Sequence, residues 1–443
     1  MKTQNALYGI GLFLVFATLA APAQQVAVDA AMNQSVILAG EKQTAYLRVA
    51  MTGFDVEEAE RTPVNVAIVL DKSGSMSGEK IHHAKEAAIM AIQRLRKDDI
   101  VSVVVYDTTV NVLVPATKLS SKESVLEAVR SIEAGGSTAL FAGVSRGANE
   151  VRKFISKNRV NRVILLSDGL ANVGPSAPSD LAELGRSLGC EGISVTTIGL
   201  GLGYNEDLMT QLAMYSDGNH MFAETPTELA GVFDAEFGDV LAVVAQDVAV
   251  AIDFDEHVRP VRGLGREVDI AGQRATARLN QLYGGQMKYV LVEVELPAYA
   301  GEDVLRASSS PIATVDVTYA NMRTESRDRI HKQVAVRLTA EPDQALKSLN
   351  KEIMASAVEQ IALEKNRWAL RLRDEGKIED ARAALMSNSE FLSTNAIQLH
   401  SDKLKDQAAM NEQDAQNLDP GTWGRQRKIM RMNQYQVMQQ QAE

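Results

Sequence analysis

Between residue 64 and about residue 241, continuous runs of β-branched residues alternate with amphipathic helical stretches. Strands that are apolar without alternation are typical of a parallel sheet covered by helices on both faces. This stretch therefore predicts a doubly wound, mostly parallel α/β domain, in which ligands bind beyond the carboxyl ends of the strands. The predicted strands are 64–70, 100–106, 162–166 and 194–200, and the predicted helices are 79–96, 121–132, 140–157, 179–188, 206–215 and 226–240.

The segments on either side of this domain show the two-residue hydrophobic period of antiparallel strands. The upstream strands are too few to bury a sheet of their own. We therefore expect residues 24–61 and 242–340 to form one antiparallel β-sandwich, with the α/β domain, residues 62–241, inserted in it. The predicted strands of this sandwich are 25–30, 34–38, 43–51, 247–254, 275–279, 287–296, 312–319 and 333–338.

The C-terminal part changes to a helical composition. Residues 341–401 are rich in Ala, Leu, Glu and Lys and are predicted to form a helical hairpin with a break at Gly376. Residues 402–443 contain many Gln and Met but little apolar periodicity, which predicts a flexible tail. A chain of 443 residues also exceeds a single core of about 100–200 residues, so several domains are expected.

The N-terminus begins with Met-Lys, an apolar run over residues 6–20 and the tripeptide Ala21-Pro22-Ala23. This pattern is typical of a secretory signal peptide, residues 1–23, cleaved after Ala23. A membrane anchor is the alternative, although the run is short for a span of about 20 residues. We expect an exported chain that is periplasmic, cell-surface or secreted, with no membrane span in its mature part.

Composition excludes two classes of function. The formal charge of -11, from 46 Lys and Arg against 57 Asp and Glu, argues against the basic surface that nucleic-acid binding requires. The single cysteine, Cys190, excludes an internal disulfide and a Cys-based zinc or iron–sulfur site held by this chain alone. We therefore expect any metal chemistry to use oxygen ligands.

Oxygen-bearing side chains follow the predicted strands 64–70 and 162–166, and another lies on a glycine-rich turn. The carboxyl ends of neighbouring parallel strands lie at one edge of the sheet, so we expect these side chains to converge. Carboxylates and hydroxyls select hard ions such as Mg²⁺, Mn²⁺ or Ca²⁺ over softer metals. The candidate metal ligands are Asp71, Ser73, Ser75, Thr138 and Asp168.

The motif Asp71-x-Ser73-x-Ser75, together with Thr138 and Asp168, resembles the complete metal-ion-dependent adhesion site of the von Willebrand factor type A family. The likeness covers residues 62–241 and includes the segments AIVLDKSGSM, GGSTAL and VILLSDG. The wider chain also resembles bacterial secreted proteins of this family that are described as calcium-activated chloride channel homologues, although no segment predicts a pore.

The resemblance implies that a divalent cation bridges the domain to an Asp or Glu carboxylate of a protein partner. Mg²⁺ is the implied ion, with Ca²⁺ or Mn²⁺ as alternatives. It also implies that binding can be coupled to a shift of the last helix of the domain, residues 226–240. Asp107 could join the outer shell of the site, although a role in its turn is favoured, and Thr109 and Asn172 are further candidates for the rim.

Other interpretations stay open. Asp71, Ser73 and Ser75 could instead cap the helix that follows them. We interpret the chain as an exported, metal-dependent protein-binding module for adhesion or assembly; the alternative is a structural or chaperone-like envelope component that the ion only stabilises. A hydrolase is a third alternative, but the sequence shows no Ser-His-Asp arrangement and no Walker loop, so we expect no enzyme and no catalytic residues. The sequence predicts no oligomeric state.

Overall fold

A computed structural model describes residues 25–55, 61–119, 121–300 and 311–440. The predicted signal peptide, residues 1–23, lies outside the described residues. The described strands are β1 Val26–Met32, β2 Val36–Leu38, β3 Gln43–Gly53, β4 Val64–Asp71, β5 Ile100–Tyr106, β6 Val110–Lys118, β7 Val160–Ser167, β8 Ser194–Leu200, β9 His220–Ala223, β10 Val243–Phe254, β11 Arg259–Leu264, β12 Asp269–Ala271, β13 Arg274–Tyr283, β14 Met287–Leu296, β15 Ala313–Asn321, β16 Arg327–Val334 and β17 Arg337–Thr339.

The described helices belong to two groups, one covering the α/β sheet and one at the C-terminus. Those of the α/β domain are α1 Glu79–Arg94, α2 Lys122–Arg130, α3 Leu140–Arg152, α4 Pro178–Cys190, α5 Glu206–Tyr215 and α6 Leu229–Leu241. Those of the C-terminal group are α7 Pro342–Lys347, α8 Lys351–Asp374, α9 Ile378–Leu399, α10 Asp402–Gln416 and α11 Pro420–Gln439.

The α/β domain has a six-stranded sheet in the order β6-β5-β4-β7-β8-β9. Its strands are parallel except for β6, which pairs antiparallel with β5. Every residue of β4, β5, β7 and β8 is buried, as their continuous apolar runs predict. This confirms the predicted fold class. The prediction missed β6, a half-exposed edge strand that contains Pro115, and the four-residue β9.

The sandwich consists of two antiparallel sheets, β1-β3-β14-β11 and β12-β13-β10-β15-β16. The upstream strand β3 pairs with the downstream strand β14 along its length, from Gln43 opposite Leu296 to Thr52 opposite Met287. Apolar side chains of both sheets share one core, including Val49, Val292 and Val317. Since β4 to β9 lie between the paired strands in sequence, the pairing confirms the predicted insertion of the α/β domain.

The C-terminal helices correct one prediction. The predicted hairpin is present as α8 and α9, with Gly376 at φ 82° between them. The flexible tail predicted over residues 402–443 is wrong for residues 402–440, where α10 and α11 pack onto α8 and α9. None of the described helices is long and apolar enough to cross a membrane.

A buried polar network explains why the hydrophobic pattern of the sequence did not predict α10 and α11. Asn366 donates to Asn411 at 2.9 Å, Asn388 donates to the same oxygen at 2.9 Å, and Gln426 donates to Asp414 at 2.6 Å. All these side chains are buried. Amides in the inner face remove the apolar period but donate hydrogen bonds to one another and to Asp414, so the helices pack despite low hydrophobicity.

Asp414 makes the stability of this bundle depend on pH. Burial raises the pKa of its carboxyl to about 6, against the opposing hydrogen bonds from Asn366 and Gln426. Because the folded pKa lies above the unfolded value, the contribution of this group is fully present below about pH 4 and is lost as the pH rises through about 6.

We therefore expect Asp414→Asn, which keeps an acceptor oxygen, to raise the free energy of unfolding by about 1–3 kcal/mol at pH 7.5 and to change it little at pH 4. Urea denaturation of both proteins at the two pH values measures this difference. Equal stability of the two proteins at pH 7.5 would contradict the assignment.

Candidate metal centre

The first loop of the site begins where β4 ends at Asp71. A short 3₁₀ turn, Gly74–Met76, follows and leads into α1. The Asp71 side chain is fully buried, and its Oδ1 accepts the backbone N–H of Ser73 at 2.8 Å. Its Oδ2 accepts the hydroxyl of Ser167 at 2.7 Å. These two bonds fix the first carboxylate at the carboxyl edge of the sheet.

The second carboxylate, Asp168, follows β7, the neighbour of β4 in the sheet. It is buried, and its Oδ1 accepts the hydroxyl of Ser75 at 2.7 Å. The hydroxyl oxygens of Ser73 and Ser75 lie 3.1 Å apart. The parallel pairing of β4 and β7 thus places both carboxylates and both serine hydroxyls together.

Thr138 comes from a third loop, directly before α3. The Gly136 carbonyl accepts the Gly74 N–H at 2.9 Å, and the Gly135 N–H donates to the Lys72 carbonyl at 2.7 Å, which joins this loop to the first. A Cβ added at Gly169 would lie 3.3 Å from the Thr138 hydroxyl oxygen and 3.5 Å from that of Ser75. The structure therefore brings all five sequence-predicted residues to one place.

The electrostatics of this cluster favour a cation. Burial raises the pKa of Asp71, the bonds from Ser73 and Ser167 oppose the shift, and the negative charge of Asp168 adds to it. Two buried carboxylates side by side repel each other, and a nearby positive charge relieves this repulsion. In the structure that charge is the Lys80 ammonium, whose Nζ lies 2.5 Å from Asp168 Oδ2. The carboxylate and hydroxyl oxygens of this cluster therefore suit a small hard cation as ligands.

The ligand types in the cluster, and how many of them are charged, indicate the kind of ion. Within the described residues, no group of three or more His, Cys, Asp and Glu side chains is arranged to hold a metal. The site instead has two carboxylates and three neutral hydroxyls. Oxygen donors of this kind suit Mg²⁺, Mn²⁺ or Ca²⁺ rather than zinc or copper.

The predicted rim residues have different roles. Asp107 is paired with Lys72 and accepts the N–H and hydroxyl of Thr109. Burial alone would raise the pKa of Asp107, but these bonds lower it overall. Asn172 supports the site, since its Oδ1 accepts the Thr138 N–H at 2.8 Å.

Two residues of the site were missed from the sequence. Ser167 directly precedes Asp168 and could have been found as a hydroxyl at the same strand end. No sequence pattern indicated a role for Lys80, because lysines are common on exposed helix turns.

Comparisons with known proteins identify the α/β domain. Residues 65–235 match the family model described as von Willebrand factor type A domain. The chain is 29% identical over 216 residues to the uncharacterized protein YfbK of Escherichia coli, a match that covers 48% of this chain and 38% of YfbK. It is 26% identical over 283 residues to an uncharacterized protein of Synechocystis sp., covering 62% of this chain and 65% of that protein. The chain thus spans less than two thirds of either relative.

Among solved structures, the chain is similar to a von Willebrand factor type A protein from Catenulispora acidiphila. The TM-score is 0.67 at 17% identity, over 90% of this chain and 91% of that chain. Likeness at this identity shows the fold, here extending over the sandwich and the C-terminal helices as well as the α/β domain. Together with the family match, it shows that the chain contains a von Willebrand factor type A domain.

Asn172 offers a test of the site that leaves every predicted ligand in place. It is exposed, so we expect Asn172→Ala to preserve the fold while loosening Thr138, and to weaken Mg²⁺ binding by about 10–100-fold, as loss of a ligand-orienting partner typically does. Calorimetric titration measures the affinity. Asn158→Ala, at an exposed position before β7 on the opposite edge of the sheet, is the control. Equal Mg²⁺ affinity in both variants would contradict the positioning role.

Proposed function

Since residues 65–235 match a von Willebrand factor type A domain, we propose that the chain is an exported protein-binding module for adhesion or assembly. In this proposal, Asp71, Ser73, Ser75, Thr138 and Asp168 hold a divalent cation that bridges the domain to an Asp or Glu carboxylate of a partner. The observation that carries the proposal is the convergence of these side chains at one sheet edge. Mg²⁺ is the proposed ion, with Ca²⁺ or Mn²⁺ as alternatives.

The charge of the ligand set supports an acidic partner. Asp71 and Asp168 balance a divalent cation formally, and the other donors are neutral hydroxyls. A bound cation would therefore supply an electrophilic position for one more anionic oxygen. The chain's own contribution is to hold the two carboxylates buried and fixed, so that they need not reorganise when a partner arrives.

The surroundings support a protein partner. Ser75, whose hydroxyl bonds Asp168, is exposed, so one side of the site is reachable from the surface. Leu170, two residues beyond Asp168, is 58% exposed, and Leu202 is 53% exposed. The loop of Leu202 lies next to Asp168, because a Cβ on Gly203 would be 2.8 Å from the Asp168 carbonyl oxygen. This rim fits an acidic residue flanked by apolar ones.

Export is part of the proposal. Its support is the apolar run over residues 6–20, followed by Ala21-Pro22-Ala23. Mass spectrometry of the N-terminal peptide of the protein recovered from its native host would show a peptide that begins at Gln24, free or as pyroglutamate, if cleavage follows Ala23. An intact N-terminus would contradict cleavage.

Partner binding tests the metal bridge. We expect Asp71→Asn and Asp168→Asn, which keep the side-chain shape, each to abolish Mg²⁺-dependent capture of a partner from the native envelope. Asp107→Asn makes the same change at a carboxylate outside the ligand set and should keep capture. Chelator should elute the partner from the wild type. Capture that survives chelation and both site variants would contradict the bridge.

The last helix of the α/β domain provides a route from the site to the sandwich. Helix α1 follows the first loop of the site, residues 72–78, here called the metal loop. It packs against α6, with Arg94 2.7 Å from Asp234. Within α6, Glu236 faces the buried guanidinium of Arg162 at 3.3 Å. Arg162 also donates to Gln281 of β13 at 2.6 Å.

We propose that ion binding at the site stabilises the residues along this route, including α6. The amides of residues 226–241 should then exchange with solvent at least threefold more slowly with Mg²⁺ than without it, while those of α9 should not change. Exchange in residues 226–241 that is identical with and without Mg²⁺ would exclude the coupling.

A further inference from the structure

Lys80 lies in the first turn of α1, immediately beyond the metal loop. Its ammonium nitrogen is 2.5 Å from Asp168 Oδ2, while the other carboxylate oxygen accepts the Ser75 hydroxyl. The Asp168 side chain has no solvent exposure, whereas that of Lys80 is 34% exposed. The lysine thus reaches from the surface into the cluster of proposed metal ligands.

This position is unfavourable for a lysine in itself. The N-terminus of a helix carries partial positive charge, which disfavours a cation in the first turn. The buried carboxylate of Asp168 offsets this effect. With Lys80 in place, the two carboxylates and one ammonium carry a single formal negative charge instead of two.

A second lysine of the same loop shows that the contact is specific. Lys72 adjoins Asp71 in sequence, yet its ammonium is paired with Asp107 at the rim. Of these two lysines, only Lys80 is paired with a proposed ligand carboxylate. A divalent cation on Asp168 would lie against the Lys80 ammonium, and like charges at such short range repel strongly.

We propose that Lys80 is a built-in competitor for the metal site. Its ammonium occupies Asp168 when no ion is bound, and it moves toward solvent when a divalent cation takes that carboxylate. Lys80 therefore sets the ion concentration at which the site fills, and it stabilises the metal-free protein. This inference rests on the proposed function, since it requires that the site bind an ion.

The test uses the full mature chain and Lys80→Met, which keeps most of the length of the side chain but removes its charge. Lys72→Met is the matched control, because it removes the same charge from Asp107. Calorimetric titration with Mg²⁺ and thermal melting without metal are measured for each protein. Lys80→Gln serves as a second neutral variant if Lys80→Met does not fold, and Lys80→Arg keeps the charge.

We expect Lys80→Met to bind Mg²⁺ at least tenfold more tightly than the wild type and to melt at a lower temperature without metal. Lys72→Met should change the affinity less than threefold, and Lys80→Arg should bind as weakly as the wild type. If the wild type binds Mg²⁺ and Lys80→Met binds it equally or less tightly, the competition is wrong. If the wild type and Lys80→Met both fail to bind Mg²⁺, Mn²⁺ and Ca²⁺, the proposed function itself fails.

Discussion

The burial of two carboxylates at one sheet edge is the constraint on which the rest of this site depends. Asp71 and Asp168 end neighbouring parallel strands, so the sheet itself brings them together. Buried negative charges need hydrogen-bond donors and a cation. The structure supplies donors from Ser73, Ser75 and Ser167, and it supplies one cation from Lys80. The residues next to the two strand ends therefore provide the hydrogen-bond donors and the cation that the buried carboxylates need.

The C-terminal helices and the sandwich both contact the α/β domain. Lys428 of α11 donates to Glu206 at 2.6 Å and to the carbonyl of Tyr204 at 2.8 Å. The loop that contains Tyr204 lies against the Asp168 backbone, as the close approach of Gly203 shows. On the opposite side, Arg162 connects the sheet to the sandwich. The loops that carry the proposed ligands are thus supported by the C-terminal helices and lie on a domain fixed to the sandwich.

The sequence predicted those features that depend on local pattern. Fully buried strands have an unmistakable apolar run, and the five proposed ligands follow such runs or a glycine turn. Helices α10 and α11 could not be predicted, because polar side chains such as Asn411 and Gln426 fill their inner face. The roles of Lys80 and Asn172 depend on contacts across separate loops, which spacing along the chain does not reveal. The likeness to chloride channel homologues stays a prediction.

A crystal of the mature protein grown with Mn²⁺, with the ion located by its anomalous scattering, tests the central claim most directly. We predict one strong peak with the hydroxyl oxygens of Ser73 and Ser75 at about 2.0–2.6 Å and the Lys80 ammonium displaced from Asp168. Bound Mn²⁺ at other residues only, with Lys80 still paired to Asp168, would contradict the account.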